Sequence, residues 1–285
     1  MSRSSTVPAH HKLRLQAHFG FTRVPFNKNL RAVDMFDSRQ QRELLHALLL
    51  WSQVGGLALV TGPTGVGKSI TVRRFLAELD DARFRVLHLT SVPTTPTGFL
   101  RTINRVLGLP MRSHTADLFD QAQRHLAERG VDDGPHPLLV LDDAEGLAVE
   151  LLDIARRLTA YALDAEDRFS ILITGTDDLL RTLRDPRLQP LCSRIGYARP
   201  LRPFTLEDTR NYVAFHVARV EGRKDLFSDA AVTVLFNASL GTPRSINQLA
   251  LQALIQAAVT GQDTLDAPFV EDVVTSHPLY SGAIP

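Results

Sequence analysis

Two hydrophobic patterns alternate along the greater part of the chain. Unbroken apolar runs fill Gly55 to Thr61, Phe84 to Thr90, Pro137 to Asp142 and Phe169 to Gly175. Each is short and rich in Leu, Ile and Val, which predicts a buried strand. Between the runs, apolar residues recur at helical spacing. Leu44, Leu45, Leu48, Leu49 and Trp51 form such a stripe in a helix that Ser38 caps and that runs to about Gln53. Further helices are predicted over 68–79, 97–108, 115–129, Val149 to Leu163 and Asp177 to Leu183. Strands that are apolar throughout, alternating with helices, predict an α/β fold with a parallel sheet sandwiched by helices.

The pattern changes at Arg199 to Pro203. Beyond it only helical periods follow: Thr205, with Asp208 as its capping partner, to Val220; Ser228 to Ser239; Pro243 to Thr260; and Pro268 to about Ser276. Gly241 and Pro243 sit where a helix end and a first helical turn accept them. The predicted organisation is a flexible basic arm over 1–18, an α/β domain over 19–200 and a small all-helical domain over 201–285. No repeat or low-complexity segment interrupts it.

The turn after the first strand carries the strongest chemical signal. Gly62 to Ser69 reads Gly-Pro-Thr-Gly-Val-Gly-Lys-Ser, a phosphate-binding loop between a strand and a helix. Gly62, Gly65 and Gly67 allow left-handed backbone angles and close approach to phosphate oxygens. The helix that follows points its positive dipole end at the anion. Lys68 is expected to reach the β- and γ-phosphates, and the Ser69 hydroxyl to coordinate Mg2+. Pro63, Thr64, Val66 and Ile70 complete the expected nucleotide contacts.

A phosphate loop needs an acidic partner. Leu138 to Asp143 is four apolar residues ending in two carboxylates, at the carboxyl end of a buried strand where ligands of open parallel sheets sit. Asp142 is the expected magnesium partner and Asp143 the candidate to orient or deprotonate the attacking water. The same pair also suits a helix cap before Gly146. Thr174 and Thr176, at the end of the fourth strand, each offer a hydroxyl to the γ-phosphate or the water; Thr176 serves equally as a cap. Arg194 and Arg244 come last. Their planar, always charged guanidinium groups match phosphate oxygens, although each singly also fits a surface ion pair.

Composition narrows the class. With 44% hydrophobic and 22% charged residues the chain reads as a globular protein. Its longest apolar run, Leu44 to Trp51, is broken by His46 and falls short of the roughly 20 residues that span a bilayer, so no membrane partner is expected. The single cysteine, Cys192, excludes an internal disulfide and fits the reducing cytoplasm. Net charge is +1, yet no carboxylate precedes Asp34, while Arg3, Lys12, Arg14, Arg23, Lys28 and Arg31 all do. The remainder holds 26 basic against 31 acidic side chains. That asymmetry describes either an arm that meets phosphate or an acidic partner, or a solvated tail.

Taken in order, these segments resemble the AAA+ ATPases, and most of all the group holding the secretion-pathway ATPase ExeA and the transposition ATPases of the TnsC, TniB, MuB and IstB kind. The likeness covers about residues 18 to 260. Besides the loop and the acidic strand it rests on His18 to Phe26, Ser193 to Ile195, Leu201 to Phe204 with Asp208, and Gly241 to Asn247. It implies ATP and Mg2+ as cofactors, with Lys68 and Ser69 as Walker A and Asp142 and Asp143 as Walker B. Thr174 or Thr176 would be sensor 1, Arg194 the arginine finger and Arg244 sensor 2. Val24, Pro25 and Phe26 would wall the adenine. The family usually carries Glu where this chain has Asp143, one methylene shorter, which implies slow, switch-like hydrolysis; Glu145 is a displaced substitute.

An arginine finger acts in trans, so the resemblance implies homo-oligomers, as rings or helical filaments. It leaves two functions. One is an ATP-dependent regulator of transposition that assembles on double-stranded DNA and recruits a transposase, in company with a target-selection protein. The other is an ExeA-like ATPase remodelling envelope proteins. Secretion proteins of that kind continue into a membrane span and a wall-binding region, and this chain stops at Pro285 without either, which favours transposition. In that family the pore-facing residues lie between the second strand and Walker B, where Arg101, Arg105 and Arg112 are found; Arg101 and Arg105 share a helix face that is equally a solvated one. A small-molecule kinase fits less well, given the helical appendage and the two late arginines.

Overall fold

The structure, a computed structural model, describes residues 15–27, 35–89, 94–129, 134–159 and 169–280. It divides into two compact units: Arg39–Arg202, and the chain up to Ser38 together with Pro203 onward.

The first unit is built on five parallel strands, β1 (Leu57–Thr61), β2 (Phe84–Leu89), β3 (His136–Leu141), β4 (Ser170–Gly175) and β5 (Ile195–Pro200), in the order β2-β3-β4-β1-β5. The helices are α1 (Arg39–Val54), α2 (Lys68–Glu78), α3 (Pro96–Leu107), α4 (Thr115–Arg129), α5 (Val149–Thr159), α6 (Asp177–Thr182) and the short α7 (Gln189–Cys192). Alternate side chains of each strand enter opposite layers. Ala58, Val60, Leu138, Val140 and Leu172 pack with Leu44, Leu48 and Trp51 of α1 and Phe75 of α2. Leu57, Leu59, Leu139, Leu141, Ile171 and Ile173 pack with Phe99 and Ile103 of α3, Leu118 of α4 and Leu151 of α5. Both faces are therefore covered, as strands without polar alternation require.

β5 is a strand that the sequence pattern does not announce. Gly196, Arg199 and Pro200 make it look like a linker, and as an edge strand it pairs with β1 alone. Arg199 is tied to Glu43 of α1 at 2.7 Å, and Gln40 of α1 exchanges hydrogen bonds with the backbone of Arg202.

In the second unit α8 (Leu206–Ala218), α9 (Asp229–Ser239), α10 (Pro243–Thr260) and α11 (Ala267–Ser276) surround a core that includes Val213, Leu235, Ile246, Leu254 and Val274. Thr205 and Asp208 close a reciprocal capping box on α8, as their spacing predicts. The lead-in belongs to this unit too, which redraws the expected division of the chain. Residues 15–19 are helical, Leu15, Phe21 and Phe26 enter the helical core, and the amide of Thr22 donates to the carbonyl of Val220. Residues 1–14, with most of the basic arm, lie outside the described residues.

Among the described residues no helix is long and apolar enough to cross a membrane.

Candidate active site

Register brings the site together. Thr61 at the end of β1 is level with Gly175 of β4 and Pro200 of β5, and Leu141 of β3 with Ile173 of β4. The loop after β1, the carboxylates after β3 and the threonines of β4 therefore share one edge of the sheet.

The loop is held by backbone contacts that only glycine permits. Gly62 has φ 150, and a Cβ there would lie 2.2 Å from the carbonyl oxygen of Leu201. Gly67 has φ 111, and a Cβ would lie 2.7 Å from the Gln41 amide nitrogen. Gly65 is left-handed as well. Gly67 is also the N-cap of α2 and, lacking a side chain, makes no capping hydrogen bond of its own, and a helix end of this kind suits an anion. The Lys68 ammonium is buried inside the curl, where Nζ donates to the carbonyls of Gly62 at 2.8 Å and Pro63 at 3.2 Å. Pro63, Thr64 and Ile70 are exposed on its rim, Val66 is buried beneath, and Ser69 is half-buried in the first turn of α2.

Asp142 and Asp143 have different fates. The Thr174 hydroxyl, fully buried, donates to Asp142 Oδ1 and accepts from the amide of Asp143 at 3.4 Å, bridging the ends of β3 and β4. Asp143 has a left-handed backbone, φ 53 and ψ 46, and its exposed side chain opens the short 3-10 turn Ala144–Gly146. That turn carries Glu145 back over β4, where Oε2 accepts from the amide of Thr176 at 3.2 Å. The Thr176 side chain precedes α6 without capping it, and among the described residues its buried Oγ1 has no hydrogen-bond partner.

The residues fit a magnesium nucleotide. Among the described residues no group of three or more His, Cys, Asp or Glu would hold a metal alone. One hydroxyl from Ser69 and one carboxylate from Asp142 suit Mg2+, which takes its other ligands from water and phosphate.

The remaining candidates are scattered. Arg194 does not project from the body: it is half-buried, and its Nη1 donates to Thr159 Oγ1 at 3.2 Å. Arg244 is exposed in the first turn of α10. Arg101 and Arg105 are exposed on α3, while Nε of the exposed Arg112 donates to the Gln121 side chain at 3.2 Å. Phe26, expected to wall the adenine with Val24 and Pro25, lies in the helical unit. Its ring is buried in the helical unit, stacked on His216 at 4.9 Å with Phe227 at its edge, Pro25 is buried beside it, and only Val24 is half-exposed.

Known proteins match part of the first unit and resemble most of the chain. Residues 52–183 match the AAA domain. Over 246 residues the chain is 28% identical to general secretion pathway protein A of Aeromonas hydrophila, an alignment covering 85% of this chain and 45% of that protein. The chain thus spans less than half the length of that curated relative. Solved structures share the fold. Drosophila ORC bound to DNA aligns with a TM-score of 0.66 at 16% identity, over 96% of this chain and 69% of that one. The Aeropyrum pernix ORC2 protein gives 0.63 at 17% identity, over 88% and 71%. The Thermotoga maritima RuvB Holliday junction branch migration motor gives 0.52 at 18% identity, over 83% and 66%. The fold is that of the AAA+ P-loop ATPases.

Proposed function

We propose that this protein is a magnesium-dependent ATPase that acts as a switch, assembling in its ATP state on duplex DNA and engaging a transposase together with a target-selection protein. The observation that carries the nucleotide part is the loop geometry, with left-handed glycines, an uncapped helix end and the Lys68 ammonium inside the curl. Bound Mg2+ would neutralise charge building on the phosphate oxygens. Gly62 to Ile70 would wrap the phosphates, Ser69 and Asp142 would hold the ion, and Arg244 would be sensor 2. Arg194 would serve a neighbouring copy in a homo-oligomer after leaving Thr159.

Support for the DNA part is the exposed pair Arg101 and Arg105, one turn apart on α3, with Arg112 beyond its end. Such cations meet phosphates and give salt-sensitive binding without sequence preference. ORC bound to DNA and the RuvB branch migration motor are among the proteins sharing the fold. The likeness to general secretion pathway protein A favours a second reading, an ATPase acting on envelope proteins.

Binding to labelled random-sequence duplex, without nucleotide, with ADP and with a non-hydrolysable ATP analogue, separates the two. The DNA reading expects binding only with the analogue, weakening with salt. It also expects loss in Lys68→Ala, whose ATP affinity should fall about 100-fold with the charge-assisted contacts. Intact ATP binding with no DNA binding in any state would refute the DNA reading and point to protein partners.

A further inference from the structure

The order of the strands poses a problem of reach. β4 lies between β3, which ends in the acidic pair, and β1, which ends in the phosphate loop. A carboxylate acting beside the loop must therefore cross the end of β4. Asp142 is engaged by Thr174, and Asp143 is exposed at the head of the 3-10 turn with a left-handed backbone.

Glu145 reaches the end of β4, one residue from the strand's contact with the loop. Its Oε2 accepts from the Thr176 amide and lies 3.0 Å from the point where a Cβ on Gly175 would stand. The carbonyl of that same Gly175 accepts from the amide of Gly62, the first residue of the loop, at 3.2 Å. One oxygen of Glu145 is thus anchored, while Oε1 makes no hydrogen bond among the described residues. The Oγ1 of the same Thr176 is buried and finds no hydrogen-bond partner among the described residues. A fixed carboxylate supplies a polar partner that an ordered water needs. A base held in place by one oxygen is also prepared to act with the other.

We propose that Glu145, positioned by Thr176, is the catalytic carboxylate that orients and deprotonates the attacking water, in place of Asp143. The assignment rests on the ATPase reading above. In the step, one proton of the water passes to Glu145 Oε1 and the water oxygen forms its bond to the γ-phosphorus. The bond from that phosphorus to the β–γ bridging oxygen breaks, and its electron pair leaves on ADP. Glu145 then returns the proton to phosphate or solvent.

Glutamine at 145 separates catalysis from mere capping of α6, because its amide oxygen still accepts from Thr176 while its basicity is gone. The experiment measures ATP binding with a fluorescent analogue, and steady-state hydrolysis, for the intact protein, Glu145→Gln, Asp143→Asn and Lys68→Ala. Glu145→Gln is expected to bind like the unaltered protein and to lose about 100-fold to 1,000-fold in kcat. Asp143→Asn is expected to lose less than tenfold. Hydrolysis surviving in Glu145→Gln, or an equal or larger loss in Asp143→Asn, overturns the assignment. Should Glu145→Gln fail to fold, Asp143→Asn decides alone: a loss below tenfold supports Glu145, and a larger one refutes it. Failure of the intact protein to bind ATP would instead bring down the ATPase reading, and this assignment with it.

Discussion

Both units have buried hydroxyls that return to carbonyls of their own helices, Ser52 and Thr102 among them, but one set of buried polar side chains keeps different company. In the α/β unit Thr61, Lys68 and Thr174 crowd the carboxyl ends of adjacent strands, next to glycines in left-handed conformations. In the helical unit His216 is enclosed by the rings of Phe26, Tyr212 and Phe215, while Thr209 and Ser239 return their hydroxyls to carbonyls of the preceding turn. The first set converges on one place and is held there by close backbone approach. The second is dispersed and completes a fold. The chemistry proposed above draws on the first set; in the helical unit Arg244 is exposed in the first turn of α10.

Three measurements press on that contrast. The largest effect is expected from Gly62→Ala, whose methyl would meet the Leu201 backbone and whose φ suits no other residue. Overpacking and strain together should cost about 4 kcal/mol, read from urea unfolding. A neutral result would mean that the loop is not crowded and the contrast is weaker than drawn.

His216 gives the next effect, and it belongs to folding. Burial pushes its pKa down from 6.5 to about 4, with the Arg219 charge adding to the shift. Between those values the unfolded chain binds a proton that the folded protein does not, so stability is full above pH 6.5, falls as pH drops through the window and levels off below it. The loss is about 3 kcal/mol. Denaturation curves at pH 7 and pH 4 should show it, and His216→Leu should remove that part of the slope while leaving ATP binding alone.

The smallest effect is expected from Thr205→Ala, which opens the capping box of α8 at about 1 kcal/mol in thermal unfolding. A much larger cost would give this cap more than a local role.

Much of this architecture is legible in the residues. Leu138 to Leu141 can only be a buried strand, and Gly62 to Ser69 constrains its own conformation. Neither β5 nor the lead-in is legible, for different reasons. Ile195–Pro200 has one neighbour and needs one buried face, so Gly196 and Pro200 are tolerated where a central strand would reject them. The aromatic residues of 19–26 have no period, and Phe26 reaches the helical core through a left-handed turn, φ 56, that its residue type disfavours. Glu145 was hidden by the same physics: a left-handed Asp143 redirects the chain after the acidic pair, and spacing alone makes Glu145 look displaced.

Gly175 has an evolutionary consequence. A Cβ there would stand 2.5 Å from Leu179 Cδ2, 2.9 Å from Leu179 Cβ and 3.0 Å from Glu145 Oε2, and the Leu179 Cβ, fixed to its backbone, has the least room to yield. Positions 145, 175 and 179 are therefore bound to one another in descent. A lineage that acquires a larger residue at 175 must shorten the other two in the same interval or lose the site, and a sequence that keeps a long acid at 145 should be found with glycine still at 175.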